Sequence, residues 1–200
     1  NILHFWGDAQ ATASGYSALA LDSAGMIECW FFLDSLANGG WNWNADLFGV
    51  GNSYGLRISN GVPAFYVGGA TLSAGTVGQR QWTHLAGSFS WSDVAGNGTM
   101  TLYVNGTAVG TQPLAADPAA ASAGVYMGYN GNGYLLGFVR NARVWRIPMP
   151  AYFGPNTRIV NPIDPNNNLV ASYPVNEAGG ALIYNAVSTG TNATVAGTSA

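Results

Sequence analysis

Aromatic rings stand beside amide side chains in two stretches of the chain, and the first runs from residue 41 to residue 44. Trp41, Trp43 and Asn44 follow a Gly-rich turn, so we expect them in a loop or at the edge of a strand. An exposed indole ring packs against the C–H face of a sugar, and an amide both donates to and accepts from hydroxyl groups. These three residues are therefore predicted to bind carbohydrate.

The second stretch has the same chemistry in Tyr129, Asn130, Asn132 and Tyr134, which are separated by glycines. Trp91 stands where the chain leaves a predicted strand, and we include it in the same predicted carbohydrate-binding set. The alternative is that these side chains pack over the ends of the fold or are buried in a contact between subunits. The residue types leave both interpretations open, and recognition itself could concern a glycan or a protein.

The acidic residues are too scattered to predict a catalytic pair. Hydrolysis of a glycosidic bond with retention needs two carboxyl groups roughly 5 Å apart, yet no two of the nine acids lie within five residues of each other. Neither His4 nor His84 has a recognisable Ser or Cys nucleophile pattern, and His84 is predicted to be a structural histidine with a polar partner. We predict that no residue is catalytic and that the protein is not an enzyme.

Composition excludes two kinds of partner. Charged residues make up 8% of the chain, all six basic residues are Arg, and the formal net charge is −3. Such a chain has no basic stripe to neutralise phosphates, so nucleic acid is not expected to bind. The apolar runs are far too short to insert into a membrane.

The single cysteine, Cys29, lies in an apolar run and is predicted to be buried.

Gly, Pro or Asn interrupts almost every apolar stretch, which is typical of a protein built from many short strands. Two Asn-Gly pairs, Asn60-Gly61 and Asn105-Gly106, lie between strand-like runs and predict tight hairpins. The predicted strands are 1–5, 17–21, 26–33, 46–50, 54–59, 64–67, 83–90, 100–104, 125–129, 135–143 and 168–173.

The chain is expected to form a single domain over residues 1–200. Prolines cluster between residues 148 and 165, which excludes a central strand there. We therefore expect residues 148–167 to form a Pro-rich connection that leads to a closing strand. The small polar residues at the end of the chain predict an edge strand or a frayed terminus.

Several blocks of the sequence together resemble laminin G-like and pentraxin-like domains. Residues 81–89 and 101–110 resemble the central hairpin of these domains, and residues 27–31 resemble their early Ile-Glu-x-Trp strand. Residues 138–145 are similar to the late Arg-x-Trp strand, and residues 169–180 are similar to the closing segment. The blocks occur in the expected order over about residues 2–198.

This resemblance implies an all-β fold, a two-sheet antiparallel jelly-roll sandwich of the concanavalin A-like kind. It implies that Trp30, Trp82 and Trp145 lie in the core. Relatives often bind calcium through acids after the first strand, but Trp6 and Gln10 stand here where carboxylates would be expected. We therefore predict no metal and no cofactor, apart from a weak calcium site near Asp8.

Together these observations predict a non-catalytic carbohydrate-binding or adhesion domain on an extracellular or virion surface. Its partner would be a glycan or a cell-surface polysaccharide. The alternative is a structural decoration, fibre or assembly-forming subunit, for example of a phage particle, whose loops make subunit contacts. Such a protein would form a homo-oligomer or a larger assembly, because a sparsely charged surface costs little to desolvate.

Overall fold

A computed structural model describes residues 3–36, 40, 42–118, 124–148, 166–177, 180–187 and 190–197. Trp41 and residues 149–165, which make up most of the predicted Pro-rich connection, lie outside the described residues. No helix in these described ranges has the length and apolar character that crossing a membrane requires.

The described residues form fifteen strands and one short 3₁₀ helix, Ser17–Leu19. The strands are β1 Leu3–Trp6, β2 Gln10–Ala13, β3 Ala24–Leu33, β4 Ala45–Val50, β5 Tyr54–Ser59, β6 Val62–Val67, β7 Ala70–Ser73, β8 Trp82–Ser92, β9 Asn97–Val104, β10 Thr107–Leu114, β11 Val125–Met127, β12 Leu136–Trp145, β13 Leu169–Tyr173, β14 Leu182–Ile183 and β15 Ala193–Ala196.

The strands pair into two antiparallel sheets, as predicted. One sheet has seven strands in the order β1-β12-β3-β8-β9-β10, with β13 also paired to β12. The other has eight strands in the order β14-β15-β2-β11-β4-β5-β6-β7. The core lies between them, where apolar side chains of both sheets meet, among them Phe31 and Phe89 from one sheet and Phe48 and Phe65 from the other. This arrangement confirms the predicted two-sheet sandwich.

Alternation along each strand decides which side chains enter this core. On β3, Cys29 and Phe31 point into the core, while Glu28 and Trp30 point to the opposite face of the seven-stranded sheet. Trp30 and Trp145 are buried on that outer face, and Trp82 is only half-buried there. The predicted burial is therefore confirmed for Trp30 and Trp145 but not for Trp82, and all three lie outside the core cluster between the two sheets.

Both Asn-Gly pairs form the predicted two-residue hairpin turns. Asn60 and Gly61 have φ angles of 51° and 77°, and they join β5 to β6. Asn105 and Gly106 have φ angles of 50° and 79°, and they join β9 to β10. Positive φ at both central residues is the mark of a type I′ turn, whose twist matches that of the flanking strands.

Other expectations about elements need correction. Residues 17–21 do not form a strand, because a 3₁₀ turn occupies Ser17–Leu19. The short strands β2 and β7 were not expected, since their small or polar residues show no apolar run. The last strand, β15, lies inside its sheet between β14 and β2 instead of at an edge or in a frayed end.

Candidate functional site

A groove of about 420 Å³ lies on the outer face of the eight-stranded sheet, across β4 to β7. Strand register brings its side chains to one face, since Asp46 stands opposite Arg57, and Tyr66 stands opposite Thr71. The lining is polar for the most part and comprises Asp46, Asn52, Arg57, Tyr66, Gly69, Ala70, Thr71, Asn130, Gly131 and Asn132.

Two glycines make the floor of this groove flat. Gly49 and Gly55 are paired neighbours on β4 and β5. A Cβ atom on either glycine would lie 2.5 Å from the hydroxyl oxygen of Tyr126, so only glycine lets this ring lie on the sheet.

The Tyr126 hydroxyl contacts that of Tyr66 at 2.9 Å, and the Tyr66 hydroxyl donates to the carbonyl of Gly51 at 2.5 Å. Burial raises the pKa of Tyr66 to about 12, so this hydroxyl keeps its proton at neutral pH.

The buried carboxylate of Asp46 holds the loop that forms one wall of the groove. Its Oδ2 atom accepts hydrogen bonds from the backbone N–H groups of Asn130 at 2.7 Å and Asn132 at 2.9 Å. The Asp46 N–H donates in turn to the carbonyl of Gly133 at 2.9 Å. Burial raises the pKa of Asp46, although these N–H groups and the charge of Arg57 oppose the rise. Asp46 thus joins the loop to β4.

The side chains of Asn130 and Asn132 bridge this loop to the sheet and line the groove. Asn130 Nδ2 donates to the carbonyl of Gly51 at 2.9 Å, and Asn132 Nδ2 donates to the carbonyl of Ile58 at 3.2 Å. In these bonds each amide uses its Nδ2 group and not its Oδ1 atom. Two amide oxygens are thereby left as acceptors for a ligand.

Tyr129 and Tyr134 close the base of the same loop without lining the groove. Their rings stack with centroids 3.9 Å apart and planes 11° from parallel. One face of each ring is therefore covered by the other ring. The two tyrosines thus belong to the same loop as Asn130 and Asn132, but their stacked rings support the loop and do not line the groove.

Trp43 and Asn44 do not line the groove and lie against the β5–β6 turn. Trp43 is half-buried, and its ring packs where a Cβ on Gly61 would stand. Asn44 Oδ1 accepts a hydrogen bond from the N–H of Asn60 at 2.9 Å. Trp43 is thus less exposed than its loop position suggested, because the glycine in the turn leaves room for the indole.

Trp91 does not join this group. It lies on β8 of the seven-stranded sheet, where it packs against the core, and its Nε1 atom donates to Asp93 at 2.8 Å. The predicted set therefore separates into residues near the groove and one residue on the other sheet.

Of the residues that line the groove, sequence reasoning proposed only Asn130 and Asn132 as binding residues and missed the others, among them Asp46, Arg57, Tyr66 and Thr71. A signal was available for two of them, because Asp46 and Arg57 are charged residues inside otherwise apolar strand runs. A charge on such a strand indicates a face that is not packed in the core.

Sequence comparison assigns the chain to a family. Residues 7–151 match the profile of the concanavalin A-like lectin/glucanases superfamily. The chain belongs to this superfamily. A search of curated protein sequences finds no match.

Solved structures share the fold of this superfamily domain at low sequence identity. A candidate carbohydrate-binding protein from Bacteroides ovatus ATCC 8483 superposes with a TM-score of 0.73 at 17% identity, covering 98% of this chain and 59% of that one. The CBM40 domain of the Ruminococcus gnavus IT-sialidase gives a TM-score of 0.52 at 17% identity, covering 75% and 92%. The same domain bound to α2,3-sialyllactose gives 0.51 at 16% identity, with the same coverage. The chain thus spans 59% of the length of the Bacteroides protein.

A second cluster of ionisable groups in this superfamily domain is buried on the outer face of the seven-stranded sheet. Glu28 contacts His84 Nε2 at 2.8 Å and accepts from Trp145 Nε1 at 2.9 Å and from Arg143 at 3.5 Å. Burial by itself raises the pKa of Glu28, but the bond to His84 and the charges of His84 and Arg143 outweigh it and lower the pKa. His84 is therefore a partnered structural histidine, as predicted.

Burial also accounts for Cys29. Its thiol is fully buried, and burial followed by the charge of Glu28 raises its pKa. The thiol is held in its unreactive protonated form.

Near Asp8, the acidic residues that the structure describes do not form a cluster of calcium ligands. Calcium takes six to eight oxygen ligands, several of them charged, whereas Asp8 is followed by the buried Ala9 and flanked by Trp6 and Gln10. Within the described ranges, His, Cys, Asp and Glu nowhere form a group of three that could hold a metal. A calcium ion near Asp8 would therefore depend on amide and backbone oxygens beside this one carboxylate, and the weak site stays a prediction.

Proposed function

We propose that the protein is a non-catalytic carbohydrate-binding domain and that the groove on the eight-stranded sheet holds the sugar. The composition of the groove carries this proposal. Amide oxygens of Asn130 and Asn132, the hydroxyl of Thr71 and the guanidinium of Arg57 converge on one cavity. Sugars offer many hydroxyl groups that both donate and accept, and such a mixed set of side chains can satisfy them.

The likeness to known structures supports the same proposal. The Bacteroides protein is a candidate carbohydrate-binding protein, and the Ruminococcus domain has been solved with sialyllactose. At their level of sequence identity these likenesses concern the fold, so they support a binding role without identifying the ligand. The residues that we assign to sugar binding are therefore taken from the chemistry of the groove and not from these likenesses.

The set of acids favours binding over hydrolysis. Retaining hydrolysis requires two carboxyl groups roughly 5 Å apart, and Asp46 is the one acid among the described residues that line the groove. Its Oδ2 atom is already engaged by two backbone N–H groups. A sugar in this groove meets hydrogen-bonding groups and no acid–base pair.

A glycan array followed by calorimetry tests the function. Wild-type protein should bind at least one glycan, and Asn132→Ala or Thr71→Ala should weaken that binding several-fold, since each loses a hydrogen bond of about 1 kcal/mol. The matched control is Asn97→Ala, which removes an exposed amide on the other sheet and should change nothing. Binding that survives both groove variants would place the site elsewhere.

The same experiment tests the aromatic residues predicted from the sequence. Trp41→Ala should weaken binding if the indole of Trp41 stacks on the sugar, and Trp43→Ala should do so through the β5–β6 turn. Trp91→Ala should leave the affinity unchanged, because Trp91 lies on the other sheet. Loss of binding in Trp91→Ala with intact folding would return Trp91 to the site.

We further propose that the domain is displayed on an extracellular or virion surface, where it would act in adhesion to polysaccharide. The alternative function, a subunit of a decoration, fibre or other assembly, is favoured by one observation. Trp6 is 52% exposed and contacts His4 with ring centroids 3.9 Å apart and planes tilted by 46°, so an apolar ring stands on the outer face of the seven-stranded sheet. The two functions differ in the mass that they predict in solution.

A further inference from the structure

The guanidinium of Arg57 is held in place by other residues of the groove, but it forms no ion pair with a carboxylate among the described residues. Its Nη2 atom donates to the hydroxyl of Thr71 at 3.0 Å, and its guanidinium carbon lies 5.1 Å from the ring centroid of Tyr66. Among the described residues no carboxylate lies within 4.0 Å of this guanidinium. Its Nε–H is buried without a partner in the same part of the chain. An anion in the groove would supply the missing counter-charge.

The nearest acid in the sheet does not serve as that partner. Asp46 stands directly opposite Arg57 in the β4–β5 register, yet its Oδ2 atom accepts the N–H groups of Asn130 and Asn132. Asp46 is buried with 2% of its surface exposed, whereas Arg57 is partly exposed to the groove. The guanidinium is therefore the charge that a ligand meets.

The neighbouring acid still limits which anion binds well. The charges of Asp46 and Arg57 nearly cancel at a distance, so a ligand with two negative charges would be repelled by Asp46 as well as attracted by Arg57. A singly charged planar carboxylate suffers less repulsion and matches the fork of a guanidinium. The polar amides around it suit the remaining hydroxyls of a sugar.

From this geometry we infer that the groove binds an acidic glycan, and that Arg57 recognises the carboxylate of a uronic or sialic acid. The inference rests on the carbohydrate function proposed for the same groove and adds the chemical class of its ligand. Arg57 is then the residue that separates acidic from neutral glycans.

Calorimetry with two matched ligand pairs tests this inference. The first pair is galacturonic acid and its methyl ester, and the second is 3′-sialyllactose and its methyl ester, so that each acidic member carries a single negative charge. The wild type should bind the acidic member of at least one pair roughly tenfold to hundredfold more tightly than the neutral member. The pair that shows the preference identifies the source of the carboxylate.

Variants assign that preference to Arg57. Arg57→Gln should lower the affinity for the acidic member of the pair until the ratio between acidic and neutral ligands falls to about one. Arg57→Lys, which retains the charge without the planar fork, should keep part of the difference. The matched control is Arg80→Gln, an exposed arginine just before β8 of the other sheet, which should behave as the wild type.

The outcomes separate the two proposals. Equal binding of acidic and neutral ligands by the wild type, or a preference retained in a folded Arg57→Gln protein, overturns the inference and leaves carbohydrate binding standing. A preference for a sulfated glycan over both carboxylate ligands also overturns it. If no glycan binds at all, the proposed function fails and the inference fails with it.

Discussion

Two buried carboxylates show how this protein uses its few charges at the scale of single residues. Asp46 holds a loop through backbone N–H groups, and Glu28 holds three side chains on the outer face of the seven-stranded sheet. Both acids are almost fully buried. A buried carboxylate is stable only when it is hydrogen-bonded or paired, so each of these acids organises the groups around it.

We expect Glu28→Gln to lower the free energy of unfolding by about 3 kcal/mol at pH 7, because it removes one partner of a buried ion pair. The pKa of Glu28 is lowered in the folded state, so its stabilising effect is present above the ordinary carboxyl pKa and is lost as pH falls through the lowered value. Urea unfolding at several pH values should therefore show the difference between wild type and variant shrinking in acid.

The control for this prediction is Asp22→Asn, at an exposed aspartate. Exposed substitutions of this kind change stability by about 0.5 kcal/mol or less. A Glu28→Gln difference that stays constant from pH 7 to acid would show that the charge of Glu28 does not stabilise the fold.

At the scale of elements, close packing between the sheets depends on a glycine. Gly87 on β8 faces the core, and a Cβ there would lie 2.2 Å from a ring carbon of Phe65 on β6. Neither group can move aside easily, because the new Cβ would be attached to a strand backbone and the Phe65 ring is fully buried. The two sheets can approach here only because this position has no side chain.

Gly87→Ala should therefore destabilise the protein by about 1–3 kcal/mol through overpacking, as measured by urea unfolding. Ser90→Ala, at an exposed position of the same strand, is the control and should change stability little. In the double variant Gly87→Ala, Phe65→Leu the two effects should not add, since the smaller side chain gives space to the new methyl group. Strict additivity would argue against contact between these positions.

At the scale of the whole molecule, the question is whether the domain acts alone. A chain of 200 residues buries enough apolar surface to fold without a partner, and the described core is continuous between the two sheets. The exposed ring of Trp6 and the low charge are the features that would favour association.

Light scattering at micromolar concentration should give a mass near the 20.8 kDa of one chain if the protein is a binding domain. A stable closed or filamentous oligomer would favour the assembly function instead. In that case Trp6→Ser should reduce the mass measured in solution, because it removes an apolar ring from the contact between subunits. The same substitution in a monomeric protein should leave the measured mass unchanged.

The amino-acid sequence by itself determined most of the strands and the two Asn-Gly turns, although it missed the 3₁₀ turn at Ser17–Leu19 and the short strands β2 and β7. Apolar runs such as Tyr54–Ser59 and the two Asn-Gly pairs are local signals, because alternation and positive φ depend on neighbouring residues only. The ordered blocks that resemble laminin G-like domains extended these signals to the two-sheet sandwich.

Tertiary structure alone decided the composition of the groove. Asp46, Arg57, Tyr66 and Asn130 come from different elements, and strand register together with the loop on Asp46 brings them to one face. The same pairing places Trp91 on the other sheet. Side-chain types can be read locally, but which of them share a surface depends on contacts between residues far apart in the chain.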